Sequence, residues 1–279
     1  MARFLFWNLN KKPLKDLVAV LAAERRVDVL ALAECNISEV DLLEALNAGQ
    51  SSKFSLPINP SPDIVFFLRY PRDCMKLIRD ERGIAIRQLM PPTGLDMLMA
   101  AVHLPSKAHH QEIEQAFLCT RLARYIEEAE QKVGHSRTAV FGDFNMNPFE
   151  HGVVAADGLH AVMDRRIAER RKRVVRGEER YFFYNPMWGN FGDRTSGPCG
   201  TYFYDDASQV NYFWHIFDQV LVRPDLMKYF KDESLAVLTQ AGQVNLLSTS
   251  NRPNLTAGSD HLPLTFELTI EREVFNERS

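Results

Sequence analysis

The sequence predicts an α+β fold in which two packed β-sheets carry helices on their outer faces. Two observations lead there. About eleven short runs rich in branched and aromatic residues recur from end to end, most of them bounded by Gly, Pro, Asp or Asn. Between them lie a few stretches whose apolar residues repeat at the three- and four-residue spacing of a helix. No internal repeat, low-complexity tract or Pro/Gly/Ser linker divides the chain, so a single domain over 1–279 is expected.

The strand signals are Arg3–Leu9, Val27–Ala33, Asp63–Leu68, Met75–Ile78, Gly83–Leu89, Asp96–His103, Thr138–Phe144, Thr201–Tyr204, His215–Val222, Ser234–Thr239 and Leu262–Ile270. A first helix is expected over Leu14–Arg26, with Leu14, Leu17, Val18 and Leu21 on one face. A second runs from His109 to Val133 with Ile113, Phe117, Leu118, Leu122, Tyr125 and Ile126 inward, His109 and His110 at the surface, and Gly134 as its stop. Shorter helices are expected at Phe149–Ala156 and Asp225–Phe230.

Composition narrows the class of protein. A hydrophobic fraction of 46% in 279 residues supports a substantial core and excludes a disordered chain. The net charge of −3 leaves nucleic-acid binding to a local patch or to metal ions. Cys35, Cys74, Cys119 and Cys199 are far apart and form no CxxC pair, which argues against a zinc site or a disulfide framework. With no stretch long enough to cross a bilayer and no leader-like N-terminus, a soluble cytoplasmic protein without membrane contact is expected.

The chemistry gathers where strands stop. In "VFGDFNMNPFE", Val140 to Glu150, an apolar run meets a glycine, an acid, an amide and then Asn-Pro. If that strand continued through Asn145, Asp143 and Asn145 would share a face, with Phe144 on the other. Gly142 leaves room for another group to approach its backbone. Similar endings recur: Asn8 and Asn10 close "FLFWNLN", Glu34 closes "VLALAE", and His103 lies in "MAAVHLPSK". Asp218 is embedded in "HIFDQVLV", and Asp260-His261 opens the last run. A charge within a buried strand is costly unless paired, so these residues are expected to share one polar crater. Their oxygens suit Mg²⁺ and their histidines suit proton transfer.

One segment breaks the pattern. Asp164–Arg180 holds eight Arg or Lys and four acids, and the aromatic cluster "YFFYNPMWGNF" follows it. It reads either as a solvated charged helix or as an arm that tracks phosphates while aromatics stack on bases. In the second reading Arg170, Arg171, Lys172 and Arg173 bind nucleic acid, on an insertion at about 164–200 that reaches over the crater.

The order Asn8, Glu34, His103, Gly142-Asp143-Phe144-Asn145, Asp218, Ser259-Asp260-His261 resembles the endonuclease/exonuclease/phosphatase superfamily, whose archetype is deoxyribonuclease I. "GDFN" and "SDHLPL" are the most specific parts, and the resemblance spans Phe4 to Leu268. It implies a four-layer αββα sandwich of two mixed sheets. It also implies a Mg²⁺- or Mn²⁺-dependent phosphodiesterase that hydrolyses its substrate by in-line attack of water. By the same resemblance Glu34 binds the metal, Asn8 lies beside the metal or the phosphate, and Asp260 lies close to the metal. His261 acts as general base and Asp218 orients it. Asp143 and Asn145 touch the scissile phosphate and the nucleophile, and His103 donates to the phosphate or to the leaving oxygen. Abasic-site members carry an acid where this chain has Asn10, which argues against that activity here. A nuclease acting on DNA or RNA is the expected function. A phosphatase or phosphodiesterase on an inositol phosphate, nucleotide or lipid headgroup is the alternative, followed by a non-catalytic nucleic-acid-binding module.

Overall fold

The computed structural model describes residues 1–107, 112–194 and 197–270. His109 and His110 lie outside these residues. In chain order the first strands are β1 (Ala2–Asn8), β2 (Val29–Ala33), β3 (Ile64–Leu68), β4 (Met75–Glu81), β5 (Ile84–Leu89), β6 (Met97–His103) and β7 (Thr138–Asp143). There follow β8 (Ala161–Val162), β9 (Lys172–Val175), β10 (Glu178–Tyr181), β11 (Phe183–Tyr184), β12 (Tyr202–Phe203), β13 (Trp214–His215) and β14 (Asp218–Val222). The last are β15 (Ala236–Val237), β16 (Gln240–Ala241), β17 (Val244–Asn245) and β18 (Leu264–Leu268). The helices are α1 (Lys15–Glu24), α2 (Glu39–Asn47) and α3 (Glu112–Val133), with one-turn α4 (His151–Val154), α5 (Arg165–Ala168) and α6 (Pro224–Met227).

The two ends of the chain build one sheet, in the order β15-β18-β1-β2-β3, and its middle builds the other, β4-β5-β6-β7-β14-β11-β8. Both sheets are mixed: β1 runs parallel to β2 and β6 parallel to β7, while their outer neighbours are antiparallel. Alternation along the strands divides the apolar side chains among three layers of packing. Phe4, Phe6, Phe66, Met99, Phe141, Val220 and Phe266 fill the space between the sheets. Leu5, Trp7, Leu30, Leu32 and Phe67 face the other way, onto Val18 and Leu21 of α1 and Leu42 and Leu46 of α2. Ile86, Leu98, Val102 and Val140 pack on Cys119, Leu122 and Ile126 of α3. This is the expected αββα sandwich.

Several local expectations change. The predicted run His215–Val222 is broken at Ile216-Phe217. Thr201 Oγ1 accepts from Phe217 N–H at 3.1 Å and Asp218 N–H at 3.0 Å, so Asp218 opens β14 rather than interrupting a strand. The Thr201–Tyr204 run forms only the β12–β13 ribbon outside both sheets. Helix α3 buries Gln115, Cys119, Leu122, Ile126 and Ala129, whereas Ile113 and Phe117 are 59% and 69% exposed. One stripe at three- and four-residue spacing packs, and the predicted face had merged two. The unpredicted α2 starts at Ser38, whose hydroxyl accepts from Asp41 N–H.

The charged segment is neither a long helix nor a free arm. After α5 it folds into the β9–β10 hairpin, turned at Arg176 and Gly177 with φ of 52° and 86°. Positive φ at both central positions is the requirement of a tight type I′ hairpin turn. Half of the aromatics after it are core, which for those three corrects the expectation that they stack on bases. Because β11 lies between β8 and β14, Phe182, Phe183 and Tyr184 are buried.

The hairpin is fastened by a histidine. His160 is buried, and its Nε2 accepts from Arg173 Nε at 2.8 Å. Burial, and then the Arg173 cation, push its pKa down to about 4. A group whose folded value is depressed below the usual 6.5 stabilises the fold above that value, and the contribution is lost as pH falls toward 4. Thermal melts should therefore lose stability across that window. In His160→Gln, which keeps an acceptor but cannot titrate, this loss should be absent; an unchanged pH dependence would assign it elsewhere.

Among the described residues no helix is long and apolar enough to cross a membrane. All four cysteines are free.

Candidate active site

The crater forms where the ends of the two parallel pairs face each other. In β1 and β2, Asn8 lies opposite Ala33, and Glu34 follows at φ 47°, turning its side chain out of the strand direction. In β6 and β7, His103 lies opposite Asp143. Asp143 also lies directly opposite Asp218 of β14. Gly142, at φ 137°, makes the approach possible: a Cβ there would stand 2.1 Å from the Val102 carbonyl oxygen. The group expected to approach this glycine is thus the neighbouring backbone of β6.

The strand does not continue through Asn145. It ends at Asp143, and Asn145 takes φ 49°. The two side chains still meet, through a turn rather than a pleat. Asp143 Oδ1 accepts from Asn145 N–H at 2.8 Å, and Asp143 Oδ2 from Asn145 Nδ2 at 3.2 Å. The second Nδ2 hydrogen goes to the Leu104 carbonyl at 2.8 Å, so the amide holds the carboxylate and offers no spare N–H. Phe144 is buried against the α3 layer, as expected.

Asn8 plays a similar part. Its Oδ1 accepts from Asn10 N–H at 3.0 Å, which fixes the amide's orientation. Nδ2 then donates to Asp143 Oδ2 at 3.0 Å and to Glu34 Oε1 at 3.4 Å. In this orientation Asn8 sets two carboxylates in place rather than presenting its own oxygen. Asn10 serves the turn.

The His261 imidazole is buried. Its Nδ1 lies 2.8 Å from Asp218 Oδ2 and its Nε2 3.7 Å from Asp143 Oδ2. Trp7 Nε1–H donates to the His261 carbonyl at 2.8 Å and pins the backbone. Burial opposes a charge on this ring, but Asp218 and Asp143 outweigh it and raise the pKa to about 10. The fully buried Asp218 is pushed up by desolvation, against the pull of His261. His103 Nε2 lies 3.4 Å from Glu34 Oε1 and 4.0 Å from Asp143 Oδ2. Its pKa is raised because these carboxylates outweigh its burial. In turn the His103 hydrogen bond holds the Glu34 carboxyl down at about 2.

Asp143, Asp218 and His261 each offer a ligand atom within 4.8 Å of one another. The 2.8 Å contact between His261 Nδ1 and Asp218 places a proton there, however, so that pair suits proton transfer better than metal binding. At the crater end of the groove the lining carboxylates beside the two imidazoles are Glu34, Asp143 and Asp260. Two of these, Glu34 and Asp143, sit on either side of the Asn8 amide, a hard-oxygen set without thiolates that fits a Mg²⁺-like ion. Asp260 accepts from Ser259 Oγ at 3.1 Å.

Eight of the nine residues expected to share the crater therefore meet in one place, Asn10 being the exception. Asn8, Glu34, Asp260 and His261 come from the terminal sheet and its loops, and His103, Asp143, Asn145 and Asp218 from the middle sheet. The basic run is elsewhere. Arg170, Arg171, Lys172 and Arg173 do not line the groove, although Arg180 does, together with Lys107, Arg121 and Arg124. Arg171 is paired with Asp225 and Lys172 with Glu179. Sequence reasoning missed Thr201, Tyr202, Asn147 and His215. Tyr202 packs on His261 at 4.8 Å between ring centroids. Only the Asn147 spacing, two residues beyond Asn145, hinted at any of them.

No family model and no curated protein matches the chain. Solved structures do match over nearly its whole length. The endonuclease domain of TRAS1, a telomere-specific non-LTR retrotransposon, is 13% identical, covers 98% of this chain and 100% of its own, and has a TM-score of 0.52. The 3′ phosphatase NExo from Neisseria, bound to a product DNA hairpin, is 14% identical over 96% and 99% of the two chains, with a TM-score of 0.55. Truncated Caenorhabditis elegans TDP2 is 15% identical over 95% and 97%, at 0.56. The chain has the fold of endonuclease/exonuclease/phosphatase proteins.

Proposed function

We propose that the protein is a divalent-metal-dependent phosphodiesterase acting on nucleic acid. The observation that carries the chemistry is the Asp218–His261 pair, whose imidazole closes on Asp143 beside a cluster of hard oxygens. Nδ1–H is donated to Asp218, which leaves Nε2 as the atom that takes a proton from a water in the crater. Attack of that water on phosphorus breaks the bond to the leaving oxygen, which must then be protonated. His103, the other imidazole of the crater, is placed to donate either to that oxygen or to a non-bridging one. Asn8 and Asn145 keep Asp143 and Glu34 in register. Glu34, Asp143 and Asp260 would hold a Mg²⁺ or Mn²⁺ ion, which would neutralise the phosphate charge that grows in the transition state.

The substrate class rests on a groove of about 1810 Å³ in which this crater lies, far larger than a small phosphoester needs. DNA is named for NExo, and this chain's fold is the same. The free cysteines accord with a reducing, cytoplasmic setting. Incubation with plasmid, linear DNA, RNA, inositol phosphates and a chromogenic diester, with and without EDTA, tests the reading. Metal-dependent cleavage of a polynucleotide is the expected result. Turnover of inositol phosphates alone would establish the small-substrate alternative, and binding without turnover the non-catalytic one.

The basic run is proposed to add charge beside the groove, continuing from Arg180. Replacing Arg170, Arg171, Lys172 and Arg173 by alanine should raise KM for a polynucleotide and flatten its salt dependence. Hydrolysis of a chromogenic diester should hardly change. Because Arg173 also fastens the hairpin to His160, a thermal melt must show that the variant stays folded. An unchanged salt slope would make the run a solvated face.

A further inference from the structure

A row of rings leaves the crater on the side of His261. Tyr202 packs on His261 at 4.8 Å, Phe217 stacks on Tyr202 at 5.2 Å, and His215 lies 4.7 Å beyond Phe217. Tyr212 follows at 6.0 Å and Phe149 at 5.4 Å, where Trp188 and Phe191 close the row. The inner rings line the groove. The outer ones open to solvent, Tyr212 being 56% and Phe149 37% exposed. Centroid spacings of about 5–6 Å continue without a gap from the catalytic imidazole to the surface.

His215 stands in the middle of this row in one defined protonation state. Buried Asn147 accepts the Ile216 N–H on its Oδ1 at 3.0 Å, so its Nδ2 is the atom facing the ring, 3.0 Å from His215 Nδ1. The other Nδ2 hydrogen goes to Glu150 Oε1, and Lys107 is ion-paired with the other oxygen of that carboxylate. Nδ1 must therefore accept, and the ring proton sits on Nε2. Desolvation keeps the ring's pKa low. Among the described residues no partner takes that Nε2–H, and it is not a buried orphan, so it faces the groove. The row thus presents flat apolar faces and one neutral donor, a combination that suits an unpaired nucleobase: a π-face to stack and an edge acceptor to receive the hydrogen bond.

We propose that this row is the binding track for unpaired bases of a single-stranded segment whose backbone passes the crater. The proposal rests on the phosphodiesterase reading and names its substrate as single-stranded or frayed nucleic acid. In a duplex the base faces are covered by their neighbours, so the rings have nothing to stack on. The commitment to a strand, rather than to an apolar peptide, comes from the row's direct continuity with the phosphate-cleaving residues and from Lys107, Arg121 and Arg124 in the same groove.

The test is anisotropy of labelled 12-mers bound to the full chain in EDTA, where nothing is cleaved. The probes are one single strand as DNA and as RNA, its blunt duplex, and a strand of abasic sugars. The wild type should favour the single strand over both the duplex and the abasic strand. Tyr212→Ala and Phe149→Ala should each weaken single-strand binding by about tenfold. They should leave the abasic strand, the duplex and hydrolysis of a chromogenic diester unaltered, and Tyr212→Trp should restore binding. His215→Phe, which keeps the ring but loses the donor, should weaken the single strand and spare the abasic one. Equal losses for all probes, or no loss for the single strand, would overturn the track. Failure of the diester assay with single-strand preference intact would instead remove the catalytic reading and leave the track standing.

Discussion

His261→Ala should lower kcat by about 10³-fold with little change in KM, because it removes the proton acceptor rather than a binding contact. Asp218→Asn should cost roughly 10²-fold or more, since an amide cannot hold the Nδ1 proton as the carboxylate does. The two residues act as one unit, so the double variant should lose much less than the product of the single losses. Multiplicative losses would mean that Asp218 works apart from His261. A titration separates orientation from mere packing. In the metal-free protein the Asp218 and Asp143 carboxylates raise the His261 pKa to about 10, and a cation held by Glu34 and Asp143 would offset them and free Nε2 to accept a proton. By linkage, this raised value stabilises the fold fully below about pH 6.5, and the contribution fades as pH climbs through 10. NMR of the imidazole in Asp218→Asn should show the ring losing its proton at lower pH, because its largest charge partner is gone.

Metal removal should have an effect of comparable size. EDTA should abolish turnover, and Mg²⁺ or Mn²⁺ should restore it. Glu34→Gln keeps the shape of the side chain but removes the charge that His103 and Asn8 hold in place. At least about tenfold more metal should then be needed for half-maximal rate, as expected when a metal site is weakened. A second readout needs no substrate. A cation that binds only the folded state raises the melting temperature. The rise seen with millimolar Mn²⁺ in the wild type should shrink in Glu34→Gln. Full turnover of a metal-stripped sample would sink this prediction.

The layered fold and the crater were readable in the sequence because burial writes itself into alternation. A strand packed on both faces must be apolar throughout, so a polar residue at its end stands out, as at Asn8, Glu34, His103 and Asp143. What stayed hidden depends on partners distant in the chain. Thr201 matters because its hydroxyl meets two amides at 217 and 218, and no local pattern marks a threonine for that. His215 looked like a strand residue until Asn147, far away in sequence, set its proton. The directions of the Asn8 and Asn145 amides were likewise invisible, since only the competing N–H and carbonyl groups decide them. The β9–β10 hairpin escaped notice because charge dominated its composition, although Arg-Gly at its tip carried a turn signal.

The division of labour between the chain's ends and its middle has a kinetic consequence. Asn8 to Asp143, Glu34 to His103, and His261 to Asp218 each join one sheet to the other, and none lies within a sheet. The span from Trp7 to His261 closes over 254 residues, the kind of contact whose loop-closure cost makes it late. Middle strands and helix α3 pair with near neighbours and can form first. On refolding from denaturant, far-UV dichroism should therefore recover ahead of turnover. Catalysis becomes a clock for the last step, the arrival of the C-terminal strand beside the N-terminal one.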